Sequence, residues 1–420
     1  MADVTTAADA PIDGATLAKD FPLLSREVHG RRITYLDSAA SSQRPTAVLD
    51  AMRVYDETTH ANVHRGVYAI AEEATRQFEA ARTNVGRFIG APVPAREVVF
   101  TKNATEALNL VAHSYGRHLL PDRKAILLTE LEHHANIVPW LMLAAERGVE
   151  LRYLPVGDDY RLDLRDLDRL MDGVGLVGVS TMSNVLGTIT DLSPIVQAAH
   201  AAGAVVVADA SQLVPHRSVD VRALGVDFLA FTGHKMLGPT GIGVLWGREE
   251  LLDAMPPFLG GGEMIRDVRL DGFTPNDLPW KFEAGTPPIA EAVGLHAAIG
   301  FLESLGMNRV AAHETDLTSR AIEILMERHG DDLKIFGPTT DLPARGGVLS
   351  LAFRDLHAHD LAQVLDAEGI CIRAGHHCAK PLMRRLGVTA TARASFYVYN
   401  GEDDIQALSD ALDVAAAFFG

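Results

Sequence analysis

The sequence predicts an α/β protein with a large domain built on a mixed, mostly parallel sheet and a smaller α+β domain at the C-terminus. Two observations favour this fold class. Between Val98 and Trp246, short apolar runs alternate with helical segments, which is the order expected of βαβ units. The runs are almost uninterrupted in their apolar character, which is typical of strands that are covered on both faces of a parallel sheet.

Seven strands are predicted in the large domain, at 97–100, 124–129, 149–156, 176–181, 204–210, 228–233 and 241–247. Helical patterns lie between them. Two of these patterns, at 136–148 and 192–203, end in glycine, which commonly terminates a helix because it adopts the left-handed conformation without steric cost.

The pattern changes near Gly285-Thr286-Pro287-Pro288. Beyond this point the sequence predicts helices at 289–306, 310–330 and 403–420, strands at 348–353 and 369–375, and a helix between those two strands. We therefore expect three parts, which are an N-terminal segment 1–35 packed against the small domain, a large domain 36–288 and a small domain 289–420.

Composition excludes several classes of function. The 420 residues carry 38 Lys and Arg against 55 Asp and Glu, a net charge of −17, and such a surface repels nucleic-acid phosphates. No apolar run reaches the roughly 18 residues of a membrane span. The first fourteen residues lack the basic and apolar regions of a secretory signal and are expected to form a frayed tail. Two cysteines do not make a disulfide framework, which favours a cytoplasmic protein.

A lysine and an aspartate follow neighbouring predicted strands. Asp209 ends an apolar strand, at the edge where open α/β sheets bind ligands. Lys235 follows the next strand, in a glycine-rich turn beside His234. Such a lysine can form a Schiff base with pyridoxal 5'-phosphate, and a carboxylate can keep the pyridine nitrogen protonated. Taken singly, a solvated loop lysine and a helix-capping aspartate explain the two residues equally well.

A phosphate-binding turn is predicted after the first strand, where backbone N–H groups at a helix N-terminus would meet an anion. Ala104 and Thr105 lie in this turn, and Thr232 and His234 could complete it from a neighbouring strand end. Simple capping of the helix by Asn103 or Thr105 is the alternative interpretation.

Two histidines, His133 and His134, follow another strand end. One of these imidazoles could stack on a pyridine ring, although an ordinary surface or core histidine is the more common case. The spacing does not predict a zinc site here, because no third ligand lies at a suitable distance along the chain.

Cys378 lies in a segment, Arg373 to Ala379, that also holds Gly375, His376 and His377. Two histidines and a bent loop would expose this thiol and favour its thiolate. The alternatives are a buried cysteine that acts as a small apolar residue, which we expect for Cys371, and a metal site, which adjacent residues rarely form.

Arg393 is flanked by small residues and followed by an expected aromatic strand. Its guanidinium could bind a substrate carboxylate through two hydrogen bonds. A structural salt bridge explains the residue equally well from the sequence alone.

Together these residues resemble the pyridoxal-phosphate-dependent cysteine desulfurases of the fold-type I aminotransferase class V family, most closely the SufS branch. The resemblance runs from Leu36 to the C-terminal helix. It is carried by His64-Arg65-Gly66 and by the segments TKNATEALNLVA, ELEHHANIVPW, SNVLGT, TGHKMLGPTGIGVLWG, FEAGTPP, RAGHHCA and ARASFYVYN. It implies a homodimer with active sites at the subunit interface.

The resemblance also implies roles for individual residues around the cofactor. Lys235 matches the Schiff-base lysine and Asp209 the partner of the pyridine nitrogen. Gln212 matches the donor to the ring hydroxyl oxygen, and His133 matches the stacking imidazole that could also carry a proton. The phosphate ligands are matched by Thr105, Thr232 and His234, with the N–H of Ala104 beside them and Thr286 donated by the other subunit.

For the substrate, Asn184 and Arg393 match the residues that hold the carboxylate of L-cysteine, and His376 is grouped with them. His64 and Arg65 match an entrance motif that is contributed across the dimer. Cys378 matches the cysteine that accepts sulfur. The implied reaction converts L-cysteine to L-alanine and leaves a persulfide on Cys378.

The persulfide would pass to a small acceptor, either SufE-like or zinc-containing and SufU-like, for iron–sulfur cluster assembly. His359 matches a histidine that takes a zinc ligand position on a SufU-like acceptor, and the alternative is a helix N-cap region near Asp360. A selenocysteine lyase is the nearest rival function. A class V aminotransferase or a kynureninase would not need Cys378, and a non-catalytic persulfide scaffold would not need Lys235. No G-x-S-x-G motif supports a hydrolase.

Overall fold

The computed structural model describes residues 11–121 and 124–420. Its centre is a seven-stranded sheet of β1 (Val98–Thr101), β2 (Ala125–Thr129), β3 (Leu151–Leu154), β4 (Val174–Ser180), β5 (Val205–Asp209), β6 (Phe228–Thr232) and β7 (Gly243–Gly247). The spatial order is β1-β7-β6-β5-β4-β2-β3. Strand β7 runs antiparallel to both of its neighbours and the other pairs are parallel, which confirms the predicted fold class.

The sheet is covered on both faces, as its apolar strands predicted. All residues of β1, β2, β4, β6 and β7 are buried. Alternate side chains enter two separate cores, so that Val98 and Phe100 pack on one face and Val99 packs on the other. Only β3, at the edge of the sheet, is largely accessible. The expected strand ends differ from the observed ones by at most two residues.

Nine longer helices lie in the part of the chain that the structure describes: α1 (Thr46–Thr58), α2 (Ala69–Phe88), α3 (Ala104–Leu110), α4 (Val138–Arg147), α5 (Ser193–Ala201), α6 (Ile289–Leu305), α7 (Met307–His329), α8 (Ala358–Ala367) and α9 (Glu402–Phe419). Helix α3 continues as a π-helical turn, Val111–Gly116. Shorter helices lie at Gly14–Leu17, Pro94–Glu97, Leu167–Met171, Val221–Leu224, Glu249–Ala254 and Lys380–Arg385. Among the described helices, none alone is long and apolar enough to cross a membrane, although Ile289–Leu305 and Met307–Asp332, bent by 74°, meet the length and composition criteria as a pair.

A second, four-stranded antiparallel sheet follows α7. It contains β8 (Leu333–Phe336), β9 (Val348–Phe353), β10 (Arg373–Gly375) and β11 (Thr391–Ser395), in the order β8-β9-β11-β10. This sheet and helices α7, α8 and α9 share their own hydrophobic core. Strand β8 was not predicted from the sequence.

Two expectations about strands in this region were wrong. The expected strand 369–375 is split, because Ile370–Cys371 pairs with Thr34–Tyr35 while the residues that follow form β10. The strand around Arg393 is 391–395, and the aromatic residues after it are not a strand. Their side chains are instead buried between elements, where the Tyr397 hydroxyl donates to Pro215 O at 2.8 Å.

The N-terminal segment is partly built into the fold. Residues 1–10 of the expected frayed tail lie outside the described part of the chain. Asp13 accepts a hydrogen bond from the N–H of Thr16 and caps a short helix, and Gly14 is buried, so these two residues are not a tail. Phe21 packs edge-on against Phe301 and Tyr399. The domain boundaries near 36 and 288 stay a prediction.

Two further pairs of short strands complete the description. Glu27–Val28 pairs with Arg31–Arg32 close to the N-terminus. Ile265–Arg269 pairs with Gly272–Pro275 in an antiparallel hairpin whose residues are mostly exposed. Neither pair joins the two main sheets.

Candidate active site

A cavity of about 270 Å³ opens at the carboxyl ends of the central strands, where ligands bind in open α/β sheets. Eleven of the residues singled out in the sequence line it: Ala104, Thr105, His133, Asn184, Asp209, Gln212, Thr232, His234, Lys235, Cys378 and Arg393. They come from segments spread over almost 300 residues of chain. The fold therefore gathers most of the candidate residues at one place.

Lys235 and Asp209 are neighbours because their strands are neighbours. Asp209 is the last residue of β5, and Lys235 ends the short 3₁₀ turn that follows the adjacent, parallel strand β6. The N–H of Ser211 donates to Asp209 Oδ1 at 3.0 Å. Burial lowers the pKa of Lys235 to about 8, and the negative charge of Asp209 acts in the opposite direction. The amine is consequently much closer to its neutral form at physiological pH than an exposed lysine is.

The N-terminus of α3 forms one wall of the cavity. Asn103 caps this helix, and its side chain accepts from the N–H of Glu106 at 3.0 Å. Ala104 and Thr105 are the first two helical residues, whose N–H groups have no intrahelical acceptor. A side chain at Gly243 would lie 2.3 Å from the Asn103 carbonyl carbon, so the close approach of β7 fixes this turn. Capping and anion binding are thus compatible here, since Asn103 performs the first and leaves two N–H groups for the second.

His133 follows strand β2 and is held by a local hydrogen bond. Its Nδ1 accepts from the N–H of Ala135 at 3.0 Å, which places the ring proton on Nε2. Burial, and then the charge of Lys235, lowers the pKa of His133 to about 4. The pKa of His234 is lowered to about 4 by the same two causes. Both rings are neutral at pH 7.

Glu132 is a fully buried carboxylate to which the sequence analysis assigned no role. Its two oxygens accept hydrogen bonds of 2.6–2.8 Å from the Thr129 hydroxyl, the Asn136 amide, and the N–H and hydroxyl of Ser180. Burial raises the pKa of Glu132 to about 7, against the effect of these donors. The network ties the turn that carries His133 to strands β2 and β4, so Glu132 positions this wall of the cavity.

Arg393 lies on β11 and is 2% exposed. Its guanidinium donates to Asn184 O at 2.9 Å and to Asp37 Oδ1 at 3.1 Å, while its Nε has no partner among the described residues. Arg373 also donates to Asp37, at 3.0 Å. Burial lowers the pKa of Arg393, and Asp37 opposes this shift. A salt bridge and a free buried donor therefore coexist at Arg393.

Asp37 was not predicted as a site residue, although it belongs to the Leu36–Ala40 segment that began the family resemblance. Its carboxylate accepts from Nη2 of Arg393 and so takes one of the guanidinium nitrogens that a substrate carboxylate was expected to use, while Nε stays without a partner among the described residues. Asn184 likewise differs in detail from the expectation, because its side-chain amide donates to His377 O at 2.7 Å. One amide hydrogen of Asn184 therefore holds the cysteine loop in place.

The cysteine loop, residues 375–379, crosses the mouth of the cavity. Cys378 is exposed and Cys371 is half-buried. His377 and Cys378 adopt left-handed φ angles of 48° and 54°, a conformation that non-glycine residues keep only when surrounding contacts hold it. Cys378 O accepts from the N–H of His134 at 2.7 Å, and His134 Nε2 accepts from the N–H of Lys380 at 3.0 Å. These contacts present the thiol to the cavity.

The two histidines of this loop differ. His377 is buried against Thr391, with Nε2 to Oγ1 at 2.8 Å, and burial lowers its pKa to about 3. A neutral His377 supplies no positive charge to the thiol, contrary to the expectation that both histidines favour the thiolate. His376 instead packs beside His134, with ring centroids 5.6 Å apart.

The fold brings three potential metal ligands together beside the cysteine loop, which their spacing along the chain did not predict. His134, His376 and Cys378 place one potential metal-ligand atom each within 4.8 Å of the other two. Only His134 of the His133–His134 pair takes part, and the other two ligands come from the cysteine loop, which is distant along the chain.

Five predicted residues are not among those that line the cavity of a single chain, and one of them is His376 in the cysteine loop. His64 Nε2 contacts Glu79 at 2.9 Å and Arg65 pairs with Glu263 at 3.2 Å. Thr286 lines a different cleft, next to the beginning of α6. His359 is exposed in the first turn of α8. The resemblance assigned His64, Arg65 and Thr286 to the neighbouring subunit's site.

Known proteins match this chain over nearly its whole length. The family model described as aminotransferase class-V matches residues 34–408. A "Probable cysteine desulfurase" of Streptomyces coelicolor is 51% identical over 415 residues, which cover 97% of this chain and 98% of that protein. A "Cysteine desulfurase" of Haloferax volcanii is 45% identical over 422 residues, with 97% and 98% coverage.

Two solved structures share the fold over nearly the whole chain. The cysteine desulfurase CsdA from Escherichia coli, in an S-sulfonic acid form, superposes with a TM-score of 0.89 at 38% identity and covers 97% of this chain and 100% of its own. The apo cysteine desulfurase from Thermococcus onnurineus NA1 gives a TM-score of 0.90 at 40% identity, with 98% coverage of both chains.

Proposed function

We propose that this chain, which belongs to the aminotransferase class-V family, is a pyridoxal-phosphate-dependent cysteine desulfurase that converts L-cysteine to L-alanine and keeps the sulfur as a persulfide on Cys378. One observation carries the proposal, namely that an exposed thiol and a lysine of lowered pKa line the same cavity. An aminotransferase would need the lysine but not the thiol.

The residues of the cavity fit the cofactor. Gln212 Oε1 and Arg393 Nε are buried and lack a partner among the described residues, which favours a polar ligand between them. Lys235 would hold the cofactor covalently, with Asp209 at the ring nitrogen and the N–H groups of Ala104 and Thr105 at the phosphate. The remaining contacts would come from Gln212, His133, Thr232 and His234. When bound, pyridoxal phosphate supplies an electron sink for negative charge that develops at the substrate Cα.

The chain's own residues divide the remaining work. Arg393 would bind the substrate carboxylate, and Lys235 would take the Cα proton at Nζ, for which it must be neutral. Cys378 Sγ then attacks the substrate sulfur, so that an S–S bond forms as the C–S bond breaks and its electron pair returns to carbon. Protonation at that carbon and return of the Cα proton from Lys235 Nζ then give alanine. His133 carries a proton on Nε2 and is the candidate to move protons near the thiol.

The test of this function is turnover of L-cysteine by the purified holoenzyme in the presence of a reductant. We expect one alanine and one sulfide for each cysteine consumed. Turnover of selenocysteine with no alanine from cysteine would favour a selenocysteine lyase. No alanine from either amino acid would contradict the proposal.

We propose that the protein works as a homodimer. Leu270 and Phe273 lie in the hairpin 265–275 and are, with Val67, among the protein's most exposed large apolar residues. Neighbouring exposed apolar side chains, such as those of Leu270 and Phe273, mark interaction surfaces. Thr286, His64 and Arg65 would then complete the partner's cavity. Sedimentation equilibrium is expected to give about twice the chain mass of 45.2 kDa. A monomer at micromolar concentration with full turnover would contradict this.

We further propose that the enzyme is of the SufS type, acts in the reducing cytoplasm and passes its persulfide to a SufU-like acceptor for iron–sulfur cluster assembly, with a SufE-like acceptor as the alternative. His357, not Asp360, accepts from a backbone N–H at the start of α8, that of His359, at 3.3 Å. The capping explanation therefore does not apply to the His359 side chain. A methyl group added at Gly375 would lie 3.9 Å from His359 Nε2, so this ring is close to the cysteine loop and could reach a metal on a docked acceptor.

Replacing His359 with alanine is expected to lower the stimulation of turnover by a zinc-loaded SufU-like acceptor at least tenfold, because a zinc ligand is lost. His357→Asn keeps a capping side chain next to it and is the matched control, for which we expect stimulation within twofold of wild type. The measurement is alanine formation with and without acceptor. Full stimulation in His359→Ala would reject the assignment and favour a SufE-like acceptor.

A further inference from the structure

Three side chains with metal-binding atoms meet at the rim of the cavity, and none of the roles proposed above explains their convergence. His134 opens the 3₁₀ turn 134–136, whereas His376 and Cys378 lie in the cysteine loop. One nitrogen or sulfur atom from each lies within 4.8 Å of the other two. The two histidines are half-buried and the thiol is exposed, so a small solute can reach the cluster from solvent.

Backbone hydrogen bonds aim both imidazole lone pairs at the loop that carries the thiol. The N–H of Lys380 donates to His134 Nε2 at 3.0 Å, and the N–H of Cys378 donates to His376 Nδ1 at 3.1 Å. A neutral imidazole has a single acceptor nitrogen, so a cation that binds either of these two atoms must replace the backbone N–H that now donates to it. The loop is itself tied to the turn by the bond from His134 N to Cys378 O, which brings the ligands together before any metal arrives.

Two nitrogens and one thiolate, with a fourth position open to solvent, are a ligand set that suits Zn²⁺ and similar soft cations. Oxygen-seeking cations such as Mg²⁺ and Ca²⁺ are disfavoured, because no carboxylate belongs to the cluster. Ligand atoms in a tetrahedral zinc site lie roughly 3.3–3.6 Å apart, so the cluster must contract by about 1 Å. Small side-chain rotations at an exposed rim are sufficient for that contraction.

We propose that His134, His376 and Cys378 form a binding site for a thiophilic divalent cation, represented by Zn²⁺, and that the bound cation holds Cys378 as a metal thiolate that cannot attack sulfur. Binding exchanges two N–H···N hydrogen bonds for two metal–nitrogen bonds and releases the thiol proton to solvent, with no change of oxidation state. Water fills the fourth position. The inhibitory consequence rests on the proposed desulfurase function, whereas the binding site itself does not.

The binding test uses the reduced holoenzyme and ZnCl₂ in competition with a chromophoric chelator. We expect one Zn²⁺ per chain in wild type and at least a tenfold weaker affinity in each of Cys378→Ser, His134→Ala and His376→Ala. Cys371→Ser removes the other thiol and is the matched control, with unchanged affinity. Equal affinity in all five proteins would overturn the proposal, because the cation would then be bound elsewhere.

A second measurement uses only the wild-type protein, so its result does not depend on whether a variant folds. Zn²⁺ is expected to slow alkylation of wild-type Cys378 by iodoacetamide at least tenfold, as followed by peptide mass spectrometry, and a chelator is expected to restore it. Unchanged alkylation at saturating Zn²⁺ would overturn the proposal.

Measurements of cysteine turnover with and without Zn²⁺ distinguish failure of the proposed metal site from failure of the proposed desulfurase function. Alanine formation that Zn²⁺ inhibits and a chelator restores would support both. Alanine formation that is indifferent to Zn²⁺ would overturn the inference and leave the desulfurase proposal intact. Stoichiometric binding and protection of Cys378 without any turnover of cysteine would support the site and contradict the function.

Discussion

Alanine formation from L-cysteine is expected to fall at least about a thousandfold when Cys378 is replaced with serine. The hydroxyl is close in size to the thiol but is a far weaker nucleophile towards sulfur. The substrate sulfur therefore has no group to accept it when the C–S bond breaks. The measurement is alanine produced per holoenzyme with a reductant present. The visible absorption of the bound cofactor should persist, since Cys378 is not among the residues expected to hold it.

Cys371 is the matched control for this substitution. It lies seven residues earlier, half-buried in the short strand that pairs with Thr34–Tyr35, and burial raises the pKa of its thiol. A protonated and shielded thiol is a poor nucleophile, so Cys371→Ser should keep turnover within about twofold of wild type. Wild-type turnover in Cys378→Ser, or its loss in Cys371→Ser alone, would contradict the assignment of the persulfide to Cys378.

The central sheet could be predicted because its signal is local. Strands such as β4 and β6 are buried on both faces, so apolar residues follow one another without a polar interruption, and this feature is visible in the sequence. The residues at the carboxyl ends of these strands, Asp209 and Lys235, then had to meet at one edge. Parallel neighbouring strands leave no other arrangement.

The small domain was harder to predict because tertiary packing overrides local preference there. Four aromatic and β-branched residues after Ser395 have the composition of a strand. Their side chains are nevertheless buried, and Tyr397 and Tyr399 find polar partners at Pro215 O and the Ser38 hydroxyl. Strand preference is a weak guide where burial on several sides decides the backbone path.

The polar contacts of the site were the least predictable feature. Asp37 and Arg393 are 356 residues apart, and a parallel bridge between Asp37 and Ser395, with hydrogen bonds of Ser395 to Leu36 and Ala39, brings their segments together. The hydrogen bond that docks His134 on the segment of Cys378 also joins distant parts of the chain, 246 residues apart. A motif identifies such residues, but their partners depend on how the N-terminal segment and the small sheet assemble around the large one.

Replacing Lys235 with alanine is expected to lower alanine formation by at least about a thousandfold, because the general base at Cα and the covalent anchor of the cofactor are both lost. Lys334→Ala, at an exposed lysine on β8, should leave turnover unchanged. Borohydride treatment provides a second readout, since it should fix the cofactor to the wild-type chain but not to Lys235→Ala. Substantial turnover in Lys235→Ala would contradict the proposed role of this lysine.

The pKa of Lys235 adds a pH dependence whose sign follows from the chemistry. Only the neutral amine reacts with the cofactor aldehyde, and a pKa of about 8 makes about 9% of the amine neutral at pH 7, against about 0.03% for an ordinary lysine. The rate at which cofactor-free protein takes up pyridoxal phosphate should therefore rise about tenfold per pH unit up to about pH 8 and then level off. A rate that still rises tenfold per unit between pH 9 and 10 would mean that burial does not lower this pKa, and that Lys235 must be deprotonated by another group before it can act as a base.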